Sequence, residues 1–357
     1  MRILFLNWKD FTHPNAGGAE AFTLAVTKGL VARGHHVTWF GATYPGASVR
    51  ASIDGINLIR GGSGLSVYNH ARRYATSLPV SERPDVIFDE VNTRPFFAGD
   101  WGLSGSRVVN LIHQLAREVW FQETPLPLAV VGRYLLEGRW LRRISGFRTI
   151  TVSKSSRDDL LRLGFVDVRI AYNALPALEP WDIHEKADPP VLLFMGRLSR
   201  GKRPDDALKA FRIISRQLSN TRFIVVGDGP LRSKLQRNFP RVKFVGRVNE
   251  GEKWRILRTA SIILSPGTRE GWGRSVMEAQ AVGTVPICYD IPGLRDATDF
   301  GRTGVLTSSN TPETLAQSAT ELLRDPSRRS DLADRASIWS RSFRWDDTVS
   351  RFEDALD

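Results

Sequence analysis

Glu270 and Glu278 are separated by seven residues in the run Ser265-Pro266-Gly267-Thr268-Arg269-Glu270-Gly271-Trp272-Gly273-Arg274-Ser275-Val276-Met277-Glu278-Ala279. Glu270 falls in a glycine-rich loop. Glu278 falls about two turns inside the helix expected over 273–282, and helical side chains lean toward the N-terminus, so it can reach back to the helix start. Gly271 and Gly273 allow close backbone approach, and a helix start at Trp272, Gly273 and Arg274 offers free N–H groups and partial positive charge to a phosphate. Carboxylates beside a phosphate site need donors to accept from, and the hydroxyls of a sugar or a ribose supply them. The competing reading is an ordinary helix start with one exposed glutamate.

A second loop carries cations. Gly196-Arg197-Leu198-Ser199-Arg200-Gly201-Lys202 matches a phosphate-binding P-loop in all but its last position. Arg203 stands where that loop needs a hydroxyl for magnesium, and Pro204 then opens a helix, so an ATPase is disfavoured. Arg197 and Lys202 remain, two cations at one strand end and suited to a diphosphate. An ordinary solvated loop is the alternative. Gly227-Asp228-Gly229-Pro230-Leu231-Arg232 begins like a dinucleotide fingerprint, but Arg232 takes the third glycine position. It reads instead as a strand–turn–helix with Pro230 in the first helical turn.

These loops need elements to hold them. Arg2 to Asn7 is an apolar run, followed by a polar loop through Gly17 and Gly18, a helical pattern (Ala21, Leu24, Ala25, Leu30, Val31) that stops at Gly34, and a second apolar run, Val37 to Phe40. That order starts a parallel α/β sheet. Further strands are expected at Ile53–Ile59, Val86–Asp89, Val108–Ile112, Thr149–Val152 and Val168–Ala171, with helices at 66–77, 128–145 and 154–163. Residues 173–190 hold four prolines and break the rhythm. It restarts with strands at Val191–Met195, Phe223–Val226, Val242–Val245, Ile262–Leu264 and Val285–Tyr289, and helices at 204–217, 230–238, 250–258 and 273–282. Thr311-Pro312-Glu313 is a capped start for a final helical stretch. The expected domains are 1–175, a linker at 176–190, a second domain at 191–340 and a C-terminal helix in 341–357 crossing back to the first. The expected fold class is α/β, two Rossmann-like doubly wound domains facing each other across a cleft at the C-terminal strand edges.

The 357 residues suffice for two cores, and Cys288, the single cysteine, excludes a disulfide framework or thiolate metal cluster. It reads as a buried core thiol. The formal charge of +12 favours anionic partners, yet the excess is shared between both halves, which argues against a nucleic-acid-binding tail. The N-terminal run is too short and too soon charged for a signal peptide, and no uncharged apolar run approaches the ~18 residues of a spanning helix. A cytoplasmic chain is expected, with the inner face of the cell membrane as a candidate site of work.

Together these motifs resemble those of the family 4 retaining glycosyltransferases of the GT-B fold. Glu270 and Glu278 resemble the family's E-x7-E motif, Gly17-Gly18-Ala19-Glu20 its N-terminal glycine loop, and His113, after strand Val108–Ile112, its sugar-contacting histidine. Val152-Ser153-Lys154-Ser155-Ser156 resembles its last N-domain strand–helix junction. Asn173 resembles the asparagine before the linker, and Arg197 and Lys202 the diphosphate-binding pair. The resemblance implies a retaining, metal-independent hexosyltransferase. Its donor is a GDP- or UDP-hexose, used as a substrate with no further cofactor. Glu270 would hold donor-sugar hydroxyls, Glu278 the ribose, and Arg197 and Lys202 the leaving diphosphate. Gly17, Gly18, Gly271, Trp272, Gly273 and Arg274 would line the donor, with Val248 and Glu250 at the nucleobase. His113 would bond a sugar group or serve as a base, unless it is only a satisfied buried histidine. There is no D-x-D triplet, which argues against a magnesium-dependent transferase of the other major fold.

Acceptor contacts are expected from loops Lys9–Gly18, Asp89–Arg94 and His113–Glu118, with His13, Glu90 and Asn92 as candidates. The acceptor itself stays open: a lipid-linked or cell-envelope glycan, or a small molecule. In 128–145 the stripe Leu136, Trp140 and Ile144 flanked by Arg139, Arg142 and Arg143 suits an anionic membrane surface, and equally a core-packed helix with a solvated arginine face. Rival functions are a non-hydrolysing nucleotide-sugar epimerase of the same fold and a nucleotide- or nucleic-acid-binding protein without activity.

Overall fold

The computed structural model describes the backbone of residues 1–357 and the side chains of all but residues 122 and 123. Two units divide the chain: residues 1–173 with 344–357, and residues 174–343.

The first unit carries β1 (Arg2–Leu6), β2 (His36–Gly41), β3 (Arg50–Ile53), β4 (Ile56–Arg60), β5 (Val86–Glu90), β6 (Arg107–Ile112), β7 (Thr149–Thr151) and β8 (Val168–Ile170) in the order β3-β4-β2-β1-β5-β6-β7-β8. Only β3 runs antiparallel, to β4. β1 after Arg2 and β5 up to Phe88 are apolar and buried, as expected of central strands in a parallel sheet covered on both faces, and β5 ends in two buried acids, Asp89 and Glu90. The strand expected over Ile53–Ile59 is instead the turn and second arm of a hairpin. Asp54 and Gly55 both adopt positive φ (53° and 77°), the geometry of a two-residue hairpin turn that an Asp-Gly pair favours.

The expected helix over 128–145 is also corrected. Helix Leu126–Val131 passes through a π-helical turn, Gly132–Leu136, into helix Glu137–Ile144. Leu141 and Ile144 are buried and Leu136 and Trp140 half-buried, so the expected stripe faces this unit's own core. The final helical stretch is three helices, Pro312–Arg324, Pro326–Arg341 and Trp345–Glu353.

Helix Trp345–Glu353 completes the core of the first unit. Phe352 meets Phe88 and Phe22 at ring-centroid distances of 5.3 and 5.9 Å, and Phe88 stacks on Phe5 at 4.6 Å. Cations gather just past its C-terminus, where a helix end favours positive charge: Arg169 and Arg148 donate to the carbonyls of Asp354 and Ala355, and Arg107 to that of Leu356.

The second unit carries β9 (Val191–Met195), β10 (Arg222–Val226), β11 (Lys243–Gly246), β12 (Ile262–Ser265), β13 (Val285–Cys288) and β14 (Val305–Leu306), all parallel, in the order β11-β10-β9-β12-β13-β14. Lys186 fastens the proline-rich segment to this unit by donating to the carbonyls of Arg258 (3.1 Å) and Val282 (2.6 Å). Cys288 is fully buried.

Each sheet has a switch point, where chain order reverses direction: between β1 and β5 in the first unit, between β9 and β12 in the second. Ligands of doubly wound sheets bind at the carboxyl edge of such points.

Phe352→Ala should destabilise the first unit by about 3–5 kcal/mol, the cost of emptying a fully buried phenylalanine site. Urea denaturation measures it. A loss below about 1 kcal/mol would mean that the C-terminal helix is not part of that core.

Candidate functional site

In the second unit the loops after β9 and β12 meet at the switch point. Thr268 donates its backbone N–H to the Gly201 carbonyl at 2.9 Å, and the Lys202 ammonium contacts Glu270 Oε1. Two neighbouring glycines let other backbone segments pack against these loops. A Cβ on Gly293 would lie 2.2 Å from the Glu270 carbonyl oxygen, and one on Gly227 2.0 Å from that of Gly196. Backbone contact, rather than turn geometry alone, therefore requires glycine there. Arg197 is exposed in the same loop as Lys202 and has no side-chain partner among the described residues.

Helix Arg274–Gln280 begins at Arg274, with Gly273 left-handed (φ 69°) ahead of it. It is shorter than the expected 273–282, and Glu278 sits one turn in rather than two. Its carboxylate is buried and held through one oxygen: Oε1 accepts from Lys253 Nζ (2.9 Å) and Arg274 Nε (3.0 Å). Oε2 has no hydrogen-bond partner among the described residues, so it is open to an incoming hydroxyl.

Lys253 is the residue that sequence reasoning missed. It also pairs with Glu250, at 2.8 Å, so one ammonium ties the two carboxylates together. The i, i+3 spacing of Glu250 and Lys253 was visible in the sequence, while the partnership with Glu278 depends on tertiary packing.

Several candidates change character. Trp272 is buried, edge-on to Phe343 at 5.0 Å, so its ring supports the loop instead of lining it. Val248 is half-buried and packs on the unit's core. Glu250 is exposed at the first position of helix Glu250–Thr259, behind the Asn249 cap. Gly271 is buried beside Glu270, and Arg274 is committed to Glu278.

The first unit assembles its residues at its own switch point. Gly17 and Gly18 start helix Gly18–Ala32, both exposed. Gly18 has no neighbour within 4 Å of a would-be Cβ, so its small size is not demanded by this unit's packing. Buried Glu20 accepts from the Gly17 N–H at 2.6 Å and pairs with Lys9 at 3.3 Å, which fixes the glycine turn. Asn92 is exposed and donates to Asn7 Oδ1 at 2.8 Å, bridging the loops after β1 and β5.

His13 lies edge-on to Tyr44 at 5.0 Å and accepts the Asn15 N–H on Nδ1. Burial first, and the Lys9 charge second, lower its pKa below the ordinary histidine value. Beneath this loop, buried Asp10 and Arg60 form an ion pair at 2.6 Å.

Glu90 is corrected as an acceptor candidate. It is fully buried, and both its oxygens are occupied: Oε1 by His113 Nε2 at 3.1 Å, Oε2 by Thr23 Oγ1 at 2.8 Å. Burial raises its pKa and the bond from His113 opposes that rise. His113 keeps partial exposure at the end of β6. The neighbouring Asp89 accepts the N–H groups of Phe96 and Ala98, and burial pushes its pKa up to about 6. A cavity of about 680 Å³ near Arg107 and Phe147 lies at the opposite, amino ends of β5 and β6 and includes none of the candidate residues.

The family model for glycosyl transferases group 1 matches residues 178–339, and that for glycosyltransferase family 4 matches residues 16–176. The chain belongs to this glycosyltransferase family. A D-inositol 3-phosphate glycosyltransferase of Salinispora tropica is 30% identical over 182 residues, 47% of this chain and 37% of that protein. A glycogen synthase of Mycobacterium tuberculosis is 29% identical over 199 residues, 52% and 48% of the two chains. The matches therefore span less than half the length of either relative. The fold is GT-B. A sucrose-phosphate synthase from Thermosynechococcus elongatus superposes with a TM-score of 0.79 at 17% identity, covering 99% of this chain and 97% of the other. HepE of Anabaena, solved in complex with UDP and glucose, gives 0.70 at 18% identity, covering 100% and 99%.

Lys253→Met should destabilise the second unit by about 2 kcal/mol, because a buried carboxylate loses one charged donor. Glu278→Gln added to it should recover most of that loss in a urea double-mutant cycle. Independent, additive effects would show that Arg274 alone holds Glu278.

Proposed function

We propose that the chain moves a hexosyl group from a nucleoside-diphosphate sugar to an acceptor hydroxyl with retention at the anomeric carbon. The observation that carries this reading is the meeting of Lys202 with Glu270 at a sheet switch point, beside a buried Glu278 that keeps one oxygen open. Cations suit the diphosphate, and open carboxylate oxygens suit hydroxyls. Glu270 takes the donor-sugar hydroxyls and Glu278 Oε2 a ribose hydroxyl. Glu250, tied to Lys253, takes the nucleobase in this reading, either guanine or uracil.

In the reaction the anomeric carbon–oxygen bond to the diphosphate breaks and a bond to the acceptor oxygen forms on the same face. The acceptor proton passes to a diphosphate oxygen. Negative charge grows on the departing diphosphate, and the positive charges of Arg197 and Lys202 oppose it. Protein cations take the part that a divalent metal plays in other transferases. No carboxylate in this proposal serves as a covalent nucleophile. Gly17 and Gly18 present bare backbone to the donor phosphates, and His113 bonds a sugar group. His13 and Asn92 belong to the acceptor side. An epimerase is disfavoured because the second unit's open carboxylates are paired with cations instead of forming an acid–base couple.

A lipid-linked acceptor is favoured by one observation. Leu126, Leu128, Val130, Val131, Tyr134 and Leu135 are all exposed, with Arg139, Arg142 and Arg143 following. Exposed apolar side chains beside arginines suit the surface of an anionic bilayer. The apolar contact surface is thus 126–135 rather than the Leu136–Trp140–Ile144 stripe.

Glu270→Ala should abolish sugar transfer in a screen of GDP- and UDP-hexoses while leaving the urea midpoint close to wild type; near-normal turnover would remove Glu270 from the site. Sedimentation with anionic vesicles should fall to that seen with zwitterionic vesicles when Leu126, Leu128 and Leu135 are replaced by aspartate. Unchanged sedimentation of the triple variant, or none by the wild type, would end the membrane reading.

A further inference from the structure

Glu90 was a candidate for acceptor binding, but its burial and its two hydrogen bonds give it a different task. His113 offers one ring nitrogen to it: Nε2 lies 3.1 Å from Glu90 Oε1. The other nitrogen, Nδ1, has no partner among the described residues, and the ring keeps partial exposure. Phe22 stands edge-on to the ring at 5.2 Å and limits its rotation, while the His113 carbonyl accepts from Ser156 Oγ at 3.2 Å. Thr23 donates to the second Glu90 oxygen at 2.8 Å, so the carboxylate is held from two sides.

A neutral imidazole carries one N–H and one lone pair, and the hydrogen bond at one nitrogen decides which function the other presents. A carboxylate only accepts. We infer that Glu90 is a positioning residue that keeps the His113 proton on Nε2 and so presents the Nδ1 lone pair to a substrate hydroxyl. His113 then acts as a hydrogen-bond acceptor, selecting a hydroxyl over a carbonyl or a phosphate oxygen at that point. This rests on the sugar-transfer reading for the identity of the hydroxyl, but the tautomer itself does not.

Glu90→Gln tests it with little change of shape. With Thr23 donating to the amide oxygen, the amide N–H₂ faces Nε2 and can only donate. The imidazole must then accept at Nε2 and carry its proton on Nδ1, which reverses what it offers to substrate.

The readout is the ¹H–¹⁵N multiple-bond spectrum of the ligand-free protein labelled in histidine. His113→Asn identifies the resonance among the six histidines. The inference requires the Nε2–H form in wild type and the Nδ1–H form in Glu90→Gln. It also requires that Glu90→Gln lowers kcat by about tenfold or more, the scale on which loss of an orienting partner behind a metal-bound histidine acts, and that Glu90→Asp restores part of it. An Nδ1–H form in wild type overturns the inference, as does an unchanged tautomer in Glu90→Gln. A switched tautomer with unchanged turnover overturns the role while keeping the geometry. If Glu90→Gln does not fold, the wild-type spectrum alone still decides the tautomer. Failure of transfer with every donor would count against the enzyme reading and leave the spectrum untouched.

Discussion

The contact between Lys202 and Glu270 is the constraint on which the rest depends. It joins the loops that leave two adjacent parallel strands, β9 and β12, at the place where the sheet's winding reverses. An ammonium and a carboxylate brought together there cost solvation unless each is satisfied, and each satisfies the other. Glycines lie close against the backbone of both loops. Gly293 lets a backbone pass against Glu270, and Gly227 does the same against Gly196. It also sets the chemistry: a cation suited to phosphate and an acid suited to hydroxyls are fixed within one contact.

The carboxylates at the two sheet edges divide by how many of their oxygens the protein uses. Glu278 is bound through Oε1 alone, by two cations, and Glu270 accepts its cation on Oε1 as well. Each leaves Oε2 without a hydrogen-bond partner among the described residues. Glu90 spends both oxygens on Thr23 and His113 and keeps none. Residue type does not separate these roles. The saturation of each carboxylate does, and on it rest the proposed binding roles of Glu270 and Glu278 and the proposed orienting role of Glu90.

Much of the architecture was legible from the chain. The buried strands are short apolar runs, and the helix over 204–217 was expected with the observed limits because Pro204 and the apolar periodicity fix it. The E-x7-E spacing and the Arg197–Lys202 spacing are each local to one strand–loop–helix unit, which made both loops visible in the chain, and the structure brings the two loops into contact. What stayed hidden was tertiary. Lys253 reaches Glu278 across helices, and nothing in its own neighbourhood announces that. Glu90 looked like a ligand-facing acid because burial is not written in one residue's identity. The hairpin at Asp54-Gly55 was missed although its turn pair is a strong local signal; the apolar residues around it read equally as one strand. The stripe at Leu136, Trp140 and Ile144 was sound as a helical pattern, but periodicity finds an apolar face without saying what covers it.

The most direct test of the central claim is hydrogen exchange during titration with GDP and with UDP, on the full chain and without acceptor. Saturable protection by one of them, concentrated in 196–203, 250–254 and 265–278, is the predicted result. Binding of neither nucleotide, or protection that leaves all three segments unchanged, would contradict it.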